Sequence, residues 1–159
     1  MSIIQTIKSC PLFYELYDNE INGIVDKCQV ISLTAGDFVF KQGEEGDSIF
    51  LLLNGAAQVL VNDIEVALLG KGDLFGEMVL LKDPIRHADI FVPAQASLLV
   101  LDYKDIFGLF EQNNKLFSLV MLNLSRMLAT RLKDAGGKIK NLSIDNYNLK
   151  EEVNKKLSA

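Results

Sequence analysis

The stretch IFLLLNGAAQVLVNDIEVALLG, residues 49–70, decides the fold of this chain. It contains three short apolar runs, Ile49–Leu53, Ala57–Val61 and Ile64–Leu69, separated by Asn54-Gly55 and Asn62-Asp63. β-Branched and apolar residues in runs of this length favour strands, while Asn, Asp and Gly accept the positive φ angles of tight turns. The stretch therefore predicts short consecutive strands joined by tight turns.

The same pattern extends outward from Gln29 to Tyr103. Further candidate strands include Val30/Ser32, Phe38/Phe40, Ile90–Val92 and Leu98–Tyr103, with glycine-rich or acidic turns between them. Six to eight short strands without alternating long helices indicate an all-β barrel or jelly roll rather than a parallel sheet.

Helical periodicity replaces the strand pattern at both ends of the chain. Residues 3–28 have apolar residues at helical spacing, with a break at Pro11 and with Asp18 expected to cap a second short helix. After Asp105 the helical period returns, and this helix is apolar on nearly every side as far as Leu124. It is predicted to pack on the barrel and also on a second copy of itself, in a homodimer formed through the helix 113–135. A monomer, with the helix wedged between barrel and tail, remains the alternative.

Two adjacent glycines, Gly136 and Gly137, are predicted to end or loosen this helix, because glycine is a poor helix former. Asn148 followed by Glu151 resembles a capping box and predicts a short terminal helix. We therefore expect a domain of residues 1–135 followed by a helical tail of residues 136–159.

Composition excludes several classes of protein. The 159 residues suit one domain, and a net charge of -5 argues against binding nucleic acid, which requires clustered Lys and Arg. No apolar run reaches the ~18–20 residues of a membrane span, and the first residues lack the apolar core of a signal peptide. We expect a cytoplasmic protein with no membrane partner, in which Cys10 and Cys28 are buried thiols rather than a disulfide.

The candidate site is GDLFGEMVLL, residues 72–81, followed by PIRHA, residues 84–88. Glu77 lies in an apolar run, where a carboxylate needs a hydrogen-bond partner. Arg86 could be that partner, or could bind a phosphate through its planar donors. Gly76 allows close approach of a ligand, and a helical turn at Glu77–Leu81 would offer N–H groups to an anion. These groups suit a small phosphorylated sugar.

Three segments in order, at consistent spacing, carry a family resemblance. They are FKQGEEGDSIFLLLNG (residues 40–55), LGKGDLFGEM (residues 69–78) and RHA (residues 86–88). Together they resemble the cyclic nucleotide-binding domain, a family that includes the bacterial catabolite activator protein and the regulatory subunits of protein kinase A. The similarity runs from about Ile3 to Leu132. It implies a jelly-roll-like eight-stranded β-barrel with N-terminal helices and a long C-terminal helix, mainly β with flanking α.

The resemblance also implies the ligand, cyclic AMP or cyclic GMP, and no other cofactor. Its phosphate-binding cassette corresponds to Gly76–Ala88, in which Glu77 would take the ribose 2'-hydroxyl and Arg86 the cyclic phosphate. The Met78–Leu81 turn with His87 or Ala88 would supply further N–H groups. Arg131 on the long helix would pair with Glu77 and relay binding. The implied ligand-binding residues are Leu69, Phe75, Gly76, Glu77, Met78, Val79, Arg86, His87, Ala88 and Arg131.

Two departures from the family pattern leave questions open. His87 stands where Ala, Ser or Thr is common, and could crowd the phosphate or donate to it. Ala135-Gly136 replaces the polar pair that the activator presents to adenine, so the resemblance does not fix the base.

The function expected is a sensor or regulatory module that is not an enzyme. The alternative is a ligand-free domain that serves as a protein-interaction scaffold. A metal-dependent barrel enzyme needs several histidines, and this chain has one. About twenty residues follow Gly137, too few for a separate DNA-reading domain in this chain.

Overall fold

Eight strands in two antiparallel sheets form the centre of the fold. A computed structural model describes residues 3–81 and 84–157, and its strands within those ranges are β1 Gln29–Leu33, β2 Phe38–Phe40, β3 Ser48–Asn54, β4 Ala57–Val61, β5 Ile64–Leu69, β6 Leu74–Phe75, β7 Asp89–Phe91 and β8 Ala96–Asp102. One sheet has the order β1-β8-β3-β6 and the other the order β2-β7-β4-β5. The strands predicted around residues 49–70 are confirmed, including the β4–β5 pair in which Val61 lies opposite Ile64.

The apolar run of β3 is buried on both faces, which explains why it is continuous rather than alternating. Phe50 and Leu52 belong to a core cluster that contains residues of both sheets. Ile49, Leu51 and Leu53 point the other way, into a second cluster made with the helices. The β3–β8 sheet is therefore the middle layer of the molecule.

The expected jelly-roll-like barrel is confirmed in part, because the eight strands are present but do not form a closed barrel. The strands remain in two separate four-stranded sheets. Two edge strands, β2 with three residues and β6 with two, offer too few backbone groups to join the sheets into one. A double-sheet jelly roll protects its edges without closure.

Flanking helices confirm the prediction of α-helical structure at both ends. They are α1 Ile3–Ser9, α2 Asp18–Val25, α3 Tyr103–Gln112 and α4 Asn114–Leu157, with a 3₁₀ turn at Pro11–Phe13. The prediction that Asp18 caps α2 is wrong. Tyr17 is the capping residue, and its N–H donates to the Glu20 carboxylate at 2.8 Å. Asp18 is instead the first helical residue, where a negative charge is favourable, and it accepts a bond from Lys8.

α4 is one continuous helix of 44 residues, so the helix end expected at Gly136-Gly137 is wrong. Two glycines weaken a helix by about 2 kcal/mol together. Long helical segments on both sides outweigh that loss, and no neighbouring atom lies near either glycine to force a bend. The terminal helix expected from Asn148 is part of α4. The division at residue 135 remains a prediction, and the last two residues of that tail lie outside the described ranges.

α4 is anchored to the domain by its first half only. Leu116, Val120 and Leu124 are buried against the helical side of the β3–β8 sheet. Asn123, also buried, donates its side-chain amide to the carbonyls of Leu12 and Tyr14. This start of α4 therefore ties the N-terminal segment to the sandwich.

Both cysteines are free thiols, as predicted, with Cys10 buried and Cys28 half-buried. Burial raises the pKa of each to about 11, so both thiols stay protonated near neutral pH. Across residues 3–81 and 84–157, none of the helices is both long enough and apolar enough to cross a bilayer.

Candidate functional site

A cavity of about 490 Å³ opens between the β4–β5 hairpin, the segment after β6 and the middle of α4. This volume is typical of sites for small molecules. All ten predicted ligand-binding residues line it, although they come from distant parts of the chain. Residues 82 and 83 of the expected cassette lie outside the described ranges.

Arg86 is a buried charged side chain of the cavity, with 7% of its surface exposed. Its terminal nitrogens donate to the carbonyl of Ser48 at 3.0 Å and to the carbonyl of Gly76 at 3.4 Å. Its backbone is fixed as well, since its N–H donates to the Glu44 carbonyl and its own carbonyl accepts from Gly43. The loop before β3 thus determines where the guanidinium lies.

The charge of Arg86 is only partly satisfied by these contacts. Its Nε is buried and has no hydrogen-bond partner among the described residues. The guanidinium carbon lies 4.2 Å from the ring centre of Phe40, in a cation–π arrangement. Burial lowers the pKa of Arg86, and the carboxylates of Asp47 and Glu44 oppose that shift. In the described ranges no carboxylate oxygen lies within 4.0 Å of it, so the group is suited to an anionic ligand.

Two glycines make room for the guanidinium. A Cβ at Gly46 would lie 2.4 Å from the Arg86 Nη2 atom, well inside contact distance. Gly76 has a φ of +81°, and a Cβ there would lie 3.0 Å from the Ser48 carbonyl oxygen. Gly76 therefore serves the turn and the arginine at once.

Glu77 pairs with α4 rather than with Arg86. Its Oε1 lies 3.0 Å from Nη1 of Arg131, the pairing that the family resemblance implied. The second terminal nitrogen of Arg131 donates to the carbonyl of Leu74. The first alternative for Arg86, a partner for Glu77, is therefore wrong, because the described contacts of Arg86 are to carbonyls.

The helical turn predicted after Gly76 is present as a 3₁₀ helix, Glu77–Leu81. The N–H of Val79 donates to the Gly76 carbonyl, which starts the turn beside Arg86. Met78 is exposed at the cavity, and His87 is exposed too, so the imidazole lies at the rim rather than at the buried guanidinium.

Sequence reasoning missed several residues that shape the cavity. Phe40, Gly46 and the carbonyl of Ser48 position Arg86, and they lie in the segment that carried the family resemblance. Asp134 and Lys138 of α4 also line the cavity. Asp134 and Lys138 were not predicted as cavity residues, because the helix was expected to end between them. The described residues contain no cluster of three or more His, Cys, Asp or Glu side chains able to hold a metal ion.

Comparison with known proteins identifies the family. The family model described as "Cyclic nucleotide-binding domain" matches residues 30–113, which include both sheets and α3. This chain belongs to the cyclic nucleotide-binding domain family. It is accordingly a cyclic nucleotide-binding regulatory domain, which the resemblance had implied. The family is a binding domain rather than a catalytic one, although some relatives carry it within longer enzymes.

Relatives of this cyclic nucleotide-binding domain include sensors of both nucleotides. The "Cyclic AMP receptor protein" of Thermus thermophilus is 31% identical over 87% of this chain and 65% of its own length. The "cGMP-dependent protein kinase" of Plasmodium berghei is 38% identical over 53% of this chain and 10% of its own length. The crystal structure of the Thermus thermophilus catabolite activator protein superposes with a TM-score of 0.71 at 31% identity, covering 84% of this chain and 63% of that one.

The chain thus spans less than two thirds of the length of these relatives. The superposition supports the sandwich with flanking helices and a long C-terminal helix.

Proposed function

We propose that this domain is a sensor that binds cyclic AMP, with cyclic GMP as the competing ligand, and relays binding through α4. The observation that carries the proposal is the buried, incompletely satisfied guanidinium of Arg86 in a cavity of nucleotide-compatible size. The choice of cyclic AMP rests on the Thermus thermophilus relative, whose match covers most of this chain.

In this proposal each end of the ligand meets a different chemistry. Arg86 donates to the cyclic phosphate, helped by the first N–H groups of the Glu77–Leu81 turn and by the backbone at His87 and Ala88. Glu77 accepts the ribose 2'-hydroxyl. Its carboxylate is held by Arg131, so ribose binding and the position of α4 are coupled. A ligand shifts the helix only if it binds the two positions unequally, and this contact supplies the difference.

The base lies against apolar side chains. Leu69 on β5 and Phe75 on β6 line the cavity together with Met78 and Val79 of the 3₁₀ turn. These side chains contact the base through apolar surface and form no hydrogen bonds with it, so they do not distinguish adenine from guanine.

We also propose a homodimer formed through the helix 113–135, because several apolar residues of that segment are exposed. Leu122 is 48% exposed, Leu128 37% and Leu132 75%. Leu128 and Leu132 lie one turn apart on the same face of the helix, and adjacent exposed leucines of this kind favour contact with another chain.

Isothermal titration calorimetry with cyclic AMP, cyclic GMP and 5'-AMP tests the sensor. Wild type should bind a cyclic nucleotide more tightly than 5'-AMP. Arg86→Ala should weaken binding by about 3 kcal/mol, roughly 150-fold, because charge-assisted bonds to the phosphate are lost. Arg126→Ala is the matched control, an α4 arginine that pairs with Glu15 outside this cavity.

Binding unchanged in Arg86→Ala would mean that the phosphate lies elsewhere. A wild-type chain that binds no nucleotide would favour the scaffold alternative. A 2'-deoxy analogue that binds as tightly as its parent would remove the ribose role of Glu77.

A further inference from the structure

Beyond Lys138, which lines the cavity, α4 contributes no residue to the cavity or to either core cluster among the described residues. Every residue from 132 to 157 is exposed. At 1.5 Å per residue, these 26 residues form a rod about 39 Å long. Isolated helices gain little stability from propensity alone, and this one contains two glycines. A partner that covers one face would supply the missing stabilisation.

Most of the exposed apolar residues of this rod lie on one heptad seam, and Ile144, Tyr147 and Leu157 lie outside it. Starting from Leu128, the steps alternate between four and three residues without interruption. The a positions are Leu132, Ile139, Asn146 and Val153, and the d positions are Leu128, Ala135, Leu142 and Leu149. Their exposed fractions include 64% for Ile139, 68% for Leu142 and 61% for Leu149, so this seam is uncovered along its length.

The residue types in the seam specify two parallel helices. β-Branched residues at a, here Ile139 and Val153, with leucine at d favour a two-stranded coil. A single asparagine at an a position, here Asn146, fixes register at some loss of stability. In a parallel pair Asn146 faces its own counterpart, and the two amides bond to each other. In an antiparallel pair it would face a d residue, leaving a buried amide unsatisfied.

The charges beside the seam agree with this arrangement. Asp145 occupies a g position and Lys150 the e position five residues later. In a parallel, in-register pair, g of one helix lies next to the following e of the other, so opposite charges meet twice by symmetry.

We propose that residues 128–153 of α4 form a parallel two-stranded coiled coil with the same segment of a second copy, in the register that sets Asn146 against Asn146. The two binding domains then lie side by side at the same end of the coil. This proposal extends the proposed dimer beyond residue 135. Its test uses no nucleotide, so it can fail while the sensor stands, or the reverse.

Disulfide trapping distinguishes the arrangements. Ile139→Cys and Val153→Cys lie 14 residues apart, about 21 Å along the helix. A parallel coil brings each cysteine against its own counterpart, so both variants should cross-link as dimers under mild oxidation. Ile144→Cys is the matched control, since Ile144 occupies an f position on the opposite face. Wild type gives the background from Cys10 and Cys28.

Failure of both variants to cross-link would indicate an antiparallel pair, in which each a residue faces a d residue of the other helix, and would overturn the proposal. Cross-linking of only one variant would overturn a coil that is continuous from residue 139 to residue 153. Equal cross-linking of Ile144→Cys would mean chance collisions, which also overturns it. In sedimentation equilibrium the wild type should have twice the 17.7 kDa mass of the chain, and a monomer across micromolar concentrations would refute the coil.

Asn146→Ile should raise the thermal midpoint and add species larger than dimers, because the residue that fixes register is lost. Asn148→Ile, at an outer c position, should do neither. If Asn146→Ile leaves both midpoint and mass unchanged, Asn146 does not lie in the seam.

Discussion

The contact between Arg131 and Glu77 is the part of the proposed relay that can be measured most directly. The test is a double-mutant cycle of Arg131→Gln, Glu77→Gln and the double variant. The side chains are 35% and 17% exposed, with 3.0 Å between the charged atoms. Such a pair lies between exposed pairs, worth ~0.2–1 kcal/mol, and buried pairs, whose disruption costs ~3–5 kcal/mol. After the discount for solvent, we expect a coupling of about 1 kcal/mol in urea unfolding.

Arg131→Gln alone should lower the free energy of unfolding by more than the coupling energy between Arg131 and Glu77. It also removes the bond to the Leu74 carbonyl, which adds about 1 kcal/mol that does not depend on Glu77. The cycle separates these contributions, because only the shared interaction fails to add.

Nucleotide affinity, measured by calorimetry in the same four proteins, tests the relay. Arg131→Gln should weaken cyclic AMP binding about tenfold in the wild-type background, because Glu77 is no longer held for the ribose. It should change little where Glu77 is already Gln. Equal losses in both backgrounds would refute the reasoning, since the effect of Arg131 would not pass through Glu77. Arg126→Gln is the control, as its partner Glu15 is remote in sequence from the cassette and both side chains are more than half exposed.

Three further predictions concern other parts of the domain. Gly46→Ala should lower nucleotide affinity about tenfold and also lower stability, because the new methyl group would overlap the buried guanidinium of Arg86. Calorimetry and urea unfolding should both be run, and unchanged affinity would contradict the assigned position of the guanidinium. Gly137→Ala should stabilise the chain by up to about 1 kcal/mol, because the glycine is helical and a Cβ there would meet no other atom. Thermal unfolding measures this, and a fall in the thermal midpoint would contradict a continuous α4. Burial raises the pKa of Cys10 from 9.0 to about 11, so the unfolded chain loses the thiol proton first and the free energy of unfolding should fall as pH rises from about 9 towards 11. Urea unfolding of Cys10→Ala should show a smaller fall across this range. An equal fall in Cys10→Ala would exclude the buried thiol as a cause.

The strands and the pair Glu77 and Arg86 could be predicted from sequence because their signals are local, whereas the other predicted cavity residues came from the family resemblance. Each strand of the β3–β4–β5 series is an apolar run between turn residues, and the 3₁₀ turn with its glutamate follows directly after Gly76. The family resemblance then added the ligand and the pairing of Glu77 with Arg131, which spacing alone could not supply.

What the sequence missed depends on contacts between distant segments. β6 has two residues, too few for any periodicity, and exists because it pairs with Phe50 and Leu51 of β3. The Ser48 carbonyl that holds Arg86 lies 38 residues away in the chain. The separation of the strands into two sheets likewise depends on which edge strands pair with each other, and the apolar pattern of single strands does not determine that pairing.

The helix end at Gly136-Gly137 was wrong for a different reason. Local propensity was used as a stop signal, whereas a helix ends only where the alternative conformation is more stable. The apolar seam keeps its heptad phase across the two glycines, from Leu132 to Ile139, and that phase was readable in the sequence. Apolar periodicity that continues across a glycine pair is therefore a better predictor of helix continuity than the glycines are of a helix end.

The environment of Arg86 also bears on the choice between a sensor and a scaffold. A guanidinium removed from water is stabilised by a charged partner, yet the described contacts of Arg86 are two neutral carbonyls and the ring of Phe40. Apolar residues of similar size often serve a folded core as well as a buried charge does. A scaffold that binds no anion gains nothing from a buried Nε without a partner, or from a glycine at residue 46 that only makes room for this side chain. An anion that meets the guanidinium gives both features a physical reason, and the cyclic phosphate supplies one.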